Sequence, residues 1–453
     1  MSQDRKQRLL ELDPETLADA LIELADRDTT ADEVVKKLIA TPKEKHKQLK
    51  SKFAALKRSK RFIGWGESAD FAYKLELLLS EIKESVEDPE EGVKLVAQFF
   101  EHDAYTLGRC DDSSGMVGQV FMIDACDLFI EYAQRCTDKR WLADLILQLN
   151  EDNNYGVRDS LFHRAGEFLT EPVIRELIGE LQQRTDGAST SQEHDFKTRH
   201  WLLLIESLAR QIKDPQLFEQ TRRARGGKLN PAAYMDIGKV YLESGDAQTA
   251  LSWVEKIPDD HMSQYDRDKL LKEIYGKLGE REKQESVAWQ MFRRSPDKYS
   301  LEELLEVIGE SKREEVIDGE IPRILDRNGY TLTDAQFLVE MNRIGDAAEY
   351  IVQRAGHLDG NQYYHLFDMA KTLESAGHYL ATSAVYRALL DAILQKARSK
   401  AYNHAARYLR KLDELATSIK DWCGLPDHAA YMDQLKQVHG RKSAFWSKYN
   451  AQG

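Results

Sequence analysis

The chain has 453 residues, 42% hydrophobic and 31% charged, with 26 glycines, 10 prolines and a formal net charge of −13. That length exceeds one compact core unless the fold grows by repetition, and scarce Gly and Pro beside abundant Leu, Ala, Glu, Lys and Arg favours helices throughout. No apolar run approaches the roughly 18–20 residues of a membrane span, and the negative balance argues against general binding to nucleic acid or anionic membrane.

The opening "MSQDRKQRLLELDPETL" has no apolar stretch of the kind an export signal needs. Four cysteines (Cys110, Cys126, Cys136, Cys423) without C-x-x-C spacing suit a reduced, cytoplasmic protein. "DPETLADALIELAD" predicts a first helix: Asp13 caps it, Pro14 fits its first turn, and Leu17, Leu21 and Leu24 share a face. Between Lys36 and Arg61, eleven Lys/Arg stand against one acidic residue, Glu44. Within that segment, residues 43–61 predict a basic helix, with Leu49, Phe53 and Leu56 on one face. A glycine-marked turn follows, in which Phe62 and Trp65 read as core anchors, and then another amphipathic helix in "SADFAYKLELLLSEI". "DPEEGVKLVAQFF" repeats the Asp-Pro helix start, and nowhere does apolar/polar alternation persist as a strand requires.

"QRTDGASTSQEHD" is the one polar, small-residue stretch long enough to separate regions. The expected organisation is therefore a helical N-terminal region, 1–186, a linker at 187–195, and a repeat region, 196–453. In the latter, "YMDIGKVYLESGDAQTALSWVEKIP" has the look of a tetratricopeptide hairpin, with Tyr241 and a turn at Gly245-Asp246. Tyr275 and Gly279 repeat Tyr241 and Gly245 one repeat length of 34 residues later. Turn-like glycines then recur at Gly309, Gly345 and Gly377. One such hairpin cannot bury its apolar face alone, so neighbours must stack. The predicted fold class is all-α: an α-solenoid of stacked helical hairpins, tetratricopeptide-like in its C-terminal half.

Three features carry candidate chemistry. In "RCDDSSGMVG" the adjacent Asp111 and Asp112, with Arg109 and Ser113, form a possible functional loop. The EF-hand pattern fails, since Met122 stands where a bidentate Glu is required. The alternative is an interhelix loop in which Asp or Ser caps the next helix. Cys423, His428 and His439 have ligand chemistry suited to zinc, but on one helix the two histidines would stand about 16 Å apart. No P-loop, G-x-S-x-G, G-x-G-x-x-G or H-E-x-x-H motif occurs, and neither a metal site nor a cofactor is expected. The closing "HGRKSAFW", with His439, Arg441, Lys442 and Trp446, reads as an end cap: Tyr431, Leu435, Val438 and Phe445 make a stripe that closes the array.

"RFIGWGESADFAYKLELLL", "RCDDSSGMVGQVF", "LNEDNNYGVRD" and "HAAYMDQLKQVHGRKSAFW" together resemble an uncharacterised bacterial helical-repeat family, whose members also occur fused behind SWIM-type zinc fingers. The resemblance covers nearly the whole chain and implies an all-helical repeat fold in a bacterial cytosol. It supplies no activity or catalytic residue, and this chain lacks the finger itself. The expected function is a protein-interaction scaffold, taking a protein or peptide near Tyr234, Tyr241, Tyr275, Asn361 and Tyr364; an enzymatic role for the Asp111–Asp112 loop stays open. The alternative is a nucleic-acid-associated regulatory protein using Lys45, Lys47, Lys50, Lys52, Lys57 and Arg58.

Overall fold

The computed structural model describes residues 7, 9–28, 31–32, 35–36, 39, 41–186, 192–258 and 264–451; side chains at 42, 43, 45, 46, 186 and 192–195 lie outside that description. The fold is all-α, with successive helices packed as adjacent pairs in the manner of an α-solenoid. Among the described residues no strand forms, and one isolated parallel bridge joins Ile63 to Cys110. No helix among them is long and apolar enough to cross a membrane. The chain separates into two compact units, Met1–Asp246 and Ala247–Gly453.

The first unit holds α1 (Pro14–Arg27), α2 (Pro42–Arg58), α3 (Ser68–Ser85), α4 (Pro89–Phe100) and α5 (Asp103–Leu107). Next, α6 (Met116–Gln119) runs through a π-helical turn, Val120–Ala125, into α7 (Cys126–Arg135). The unit closes with α8 (Lys139–Glu151), α9 (Asp159–His163), α10 (Glu171–Asp186), α11 (Gln192–Gln211), α12 (Pro215–Gly226) and α13 (Pro231–Glu243). The starts follow the sequence chemistry. The carboxylate of Asp13, Asp88 or Asp214, or the Asn230 amide oxygen, accepts a first-turn N–H, and a proline follows each where no N–H donor is needed. Thr41 and Glu44 close a reciprocal capping box on α2. Its Leu49 and Phe53 are buried, and Phe53 meets Phe99 edge-on and stacks on His102. By contrast α1 buries no residue, and Leu21, Ile22 and Leu24 stay exposed. Residues 187–191 of the expected linker lie outside the described residues, whereas 192–195 form the first turn of α11. A polar run suits a helix start as well as a loop.

The second unit runs through α14 (Ala247–Val254), α15 (Gln264–Leu278), α16 (Arg281–Arg294), α17 (Lys298–Ile308), α18 (Arg313–Asp326) and α19 (Leu332–Glu340). It continues with α20 (Ile344–Gln353), α21 (Tyr363–Ser375), α22 (Tyr379–Gln395), α23 (Tyr402–Ala416), α24 (His428–His439) and α25 (Ser443–Asn450). Phe292, Phe337, Tyr350 and Phe445 are fully buried in its core.

One backbone device recurs across both units. The residue after a helix takes positive φ at Lys213, Gly245, Gly279, Asn342, Gly377 and Ala397. At each, the next N–H reaches back to a carbonyl of the last turn, as in Asp246 N–H to Tyr241 O and His378 N–H to Leu373 O. That is the Schellman closure, which satisfies the orphan carbonyls and reverses the chain within two residues. Gly345 departs from expectation: it sits inside α20, and Asn342 makes the left-handed turn, because asparagine also tolerates that conformation.

The C-terminus is a cap of different geometry from the one expected. The helix breaks at Gly440, where a Cβ would stand 2.4 Å from Lys436 O. Val438 faces outward (65% exposed), and His439, in helical phase with Tyr431 and Leu435, is buried in its place. Phe445 then packs edge-on against Tyr402, and the Trp446 indole N–H donates to His439 O. Arg410 of α23 caps the carbonyls of Lys448, Tyr449 and Ala451. Arg441 is exposed and Lys442 half-buried. Replacing Phe445 with Ala should lower the unfolding free energy by about 3–5 kcal/mol, measured by urea denaturation. Trp446→Ala should lower Tm by less, and a variant melting with the wild type would remove its capping role.

Candidate functional site

The basic helix and the Asp111–Asp112 loop, far apart in sequence, meet. Ile63 N–H donates to Arg109 O, and Asp111 N–H to Ile63 O. The Arg109 guanidinium lies 4.9 Å from the Phe71 ring centroid and donates to Ser59 Oγ. Asp112 is spent on local structure, its two oxygens accepting Val117 N–H at 2.9 Å and Gly118 N–H at 2.8 Å. Asp111 accepts the Ser113 N–H and hydroxyl, which holds its carboxyl below the usual range. Both Asp112 oxygens are thus occupied by backbone donors, while Asp111 is engaged through Oδ1 alone. Along α2, Lys52 pairs with Glu81, Lys57 lies over the Tyr105 ring, and Arg58 donates to Ala54 O. Lys47 and Lys50 are exposed without an ion partner among the described residues, and the Lys45 side chain lies outside them. Phe62 and Trp65 are not core anchors: they are 61% and 66% exposed. The glycines flanking Trp65 hold this segment as an extended loop and a single 3₁₀ turn on the surface, joined to the body through Ile63.

The tyrosine positions divide. Tyr241 is core, its hydroxyl donating to Glu219 Oε2 at 2.8 Å, so it reaches no partner. Tyr234 and Tyr275 are half-buried, and Lys283 covers the Tyr275 ring. Asn361 is held between Asp359 and Lys396, while Tyr364 is 81% exposed. The four cysteines are free, with only Cys423 exposed. His428 and His439 stand at opposite ends of α24, and the His428 Nε2 lies 2.7 Å from Asp413 Oδ1.

A more organised site lies where sequence reasoning found only a family resemblance. "LNEDNNYGVRD" supplies the end of α8, a tight loop and the start of α9, and with α10 and α11 it walls a cleft of about 930 Å³. Beneath it, Arg158 is 4% exposed; its Nε and Nη2 donate to the two oxygens of Asp103 at 2.8 and 2.6 Å, and its Nη1 to Leu149 O at 2.7 Å. That clamp fixes the loop. Asp159 Oδ1 accepts both the Asn150 and the Asn153 amide N–H at 2.8 Å. The His200 Nε2 stands 3.2 Å from Asn150 Oδ1 and 3.3 Å from Asp159 Oδ1. Both neighbours are acceptors, so Nε2 carries a proton toward them. Tyr155, Phe196 and Trp201 provide aromatic surface, and Arg184 joins Glu151 while lying 6.0 Å from the Trp201 ring centroid.

This arrangement is suited to recognition. Asparagine offers donor and acceptor together, and pockets of this size lined by aromatics and a few fixed polar groups hold ligands by shape and orientation. Among the described residues no Ser, Thr or Cys lines the cleft beside His200. No group of three or more His, Cys, Asp or Glu suited to a metal occurs among the described residues. Nothing in local spacing links His200 to Asn150; only the Asn-rich "EDNNYG" followed by Arg-Asp marked the loop as unusual.

Residues 4–448 match a family described as a family of unknown function, DUF6880. No curated protein matches the chain.

Because Arg158 and Asp103 are buried together, Asp103→Asn should destabilise the protein by about 3–5 kcal/mol by stranding the guanidinium. The double variant Asp103→Leu/Arg158→Met should recover most of that loss in urea denaturation. A double variant no more stable than Asp103→Asn would show that the pair contributes more than mutual charge compensation.

Proposed function

The chain belongs to this family of unknown function, and on that premise we propose that it is a protein-interaction scaffold whose cleft at Asn150, Asn153, Asp159 and His200 takes an extended polypeptide segment. The observation that supports it is the fixed amide cluster on the floor of an open cleft with aromatic walls. A peptide backbone repeats a donor and an acceptor, the pairing that an asparagine side chain matches. Asp152 and Asp159 outweigh Lys197 once Glu151 and Arg184 neutralise each other, so a neutral or basic segment is the complementary partner. Tetratricopeptide-like character for the C-terminal hairpins and a bacterial cytoplasmic setting belong to the same reading.

The test is a peptide library screened against the whole protein, with hits titrated by calorimetry. Asn150→Ala and His200→Ala should each weaken a selected peptide at least tenfold, about 1.4 kcal/mol, with unchanged circular dichroism. Hits that bind both variants as tightly as the wild type would defeat this reading.

A second reading, a nucleic-acid-associated role for the basic helix, is favoured by the exposed Phe62 and Trp65 beside Lys60 and Arg61. Aromatic faces next to cations are what single strands use. Fusion of family members to SWIM-type zinc fingers, as the resemblance implies, would suit this reading. Affinity for single-stranded RNA should fall with salt, and Lys47→Glu/Lys50→Glu should flatten the logarithmic slope by about 0.7 per lost phosphate contact. No binding at low salt ends it.

A further inference from the structure

In the second unit, Arg387 of α22 is 8% exposed, and its guanidinium lies between two rings, 4.7 Å from the Trp422 centroid and 4.5 Å from that of Tyr431. Nη1 donates to Pro426 O at 2.7 Å. Nε and Nη2 are buried and have no hydrogen-bond partner among the described residues. Those two nitrogens form one edge of the guanidinium, whose N–H groups point the same way and match the two oxygens of a carboxylate. Among the described residues no other guanidinium has two buried, unpartnered nitrogens. Arg158 and Arg354, equally buried, are engaged through Nε, Nη1 and Nη2 alike.

Arg387 lines a cavity of about 390 Å³ together with Asp391, Tyr431, Asn361 and Gln434. Ala384, Ala388 and Ala392 keep the α22 wall low, and Gly360 closes against it so tightly that a Cβ would meet Ala388 O at 1.9 Å. Asp391, one turn beyond Arg387, accepts the Tyr431 hydroxyl at 2.8 Å and makes no ion pair with the guanidinium. Cation and carboxylate therefore stand side by side on one wall without a direct ion pair, each feeling the other's charge, with Asp427 also acting on the guanidinium.

We propose that this cavity binds a small zwitterion of α-amino-acid type, its carboxylate on the Nε–Nη2 edge of Arg387 and its ammonium toward Asp391. The site lies in a different unit from the polypeptide cleft and does not depend on that reading. Burial lowers the guanidinium's affinity for its proton and raises that of the Asp391 carboxyl, and their mutual attraction only partly opposes both shifts.

The probes are glycine, L-alanine, L-glutamate and L-lysine, with acetate and sulfate as controls, titrated into the full chain by calorimetry. At least one amino acid should bind saturably and at least tenfold more tightly than acetate. Arg387→Lys, which keeps the charge and loses the fork, should abolish the binding, and Asp391→Asn should erase the preference over acetate. Absence of saturable binding by every amino acid, or binding undiminished in Arg387→Lys, overturns the proposal; so does sulfate binding as well as the amino acids. If Arg387→Lys fails to fold, the wild-type Arg387 Nε–H resonance decides: a shift on adding the amino acid supports the site, and an unmoved resonance overturns it.

Discussion

Every hairpin that closes on a left-handed residue depends on the same constraint: the last carbonyls of one helix must be satisfied while the chain turns toward the next. The Schellman pair of hydrogen bonds does both within two residues, at Lys213, Gly245, Gly279, Asn342, Gly377 and Ala397. Within each unit, a short closure brings consecutive helices side by side, so each covers the apolar face its neighbour cannot bury alone. At three of the six positions the residue is not glycine, and the left-handed backbone there carries a strain that the surrounding packing offsets.

Within the first unit the cleft depends on a second constraint, the burial of Arg158. Taking a guanidinium out of water costs several kcal/mol unless its donors are met. Two go to Asp103 and one to the carbonyl of Leu149 near the end of α8, where the helix dipole favours a cation. Because the same loop carries Asn150, Asn153 and Asp159, holding Arg158 also holds the amides that converge on Asp159. The polar floor of the cleft is thus a consequence of satisfying a buried charge below it.

These two constraints explain what was legible in the chain. Local chemistry announces itself: Asp-Pro starts, the Thr41–Glu44 box and the Leu49–Phe53 face all form where their spacing places them. Glycine turns were readable at Gly245, Gly279 and Gly377, but not at Lys213, Asn342 or Ala397, where no composition signal marks positive φ. Trp65 was misread as buried because it sits in a surface 3₁₀ turn and not in a helix, and Val438 because the buried face of α24 runs through Tyr431, Leu435 and His439 at four-residue steps. His200 was invisible because its partners lie about 40–50 residues away in sequence and are joined to it only by the packing of α11 against α9.

Polar groups inside an all-helical fold have few backbone donors and acceptors to meet, because helices consume their own. An interior arginine must therefore find helix ends, loops or carboxylates. Arg158 finds Asp103 and the Leu149 carbonyl; Arg354 finds the carbonyls of Leu325 in the last turn of α18 and of Arg327 and Gly329 just past it. Arg387 reaches a single carbonyl, Pro426 O, and otherwise faces two aromatic rings. Ring faces attract the cation but accept none of its in-plane N–H groups, so stacking stabilises the charge and leaves the donor edge open. Arg158 and Arg354 meet all three of their nitrogens, whereas Arg387, beside a cavity walled by alanines, keeps Nε and Nη2 buried without a hydrogen-bond partner.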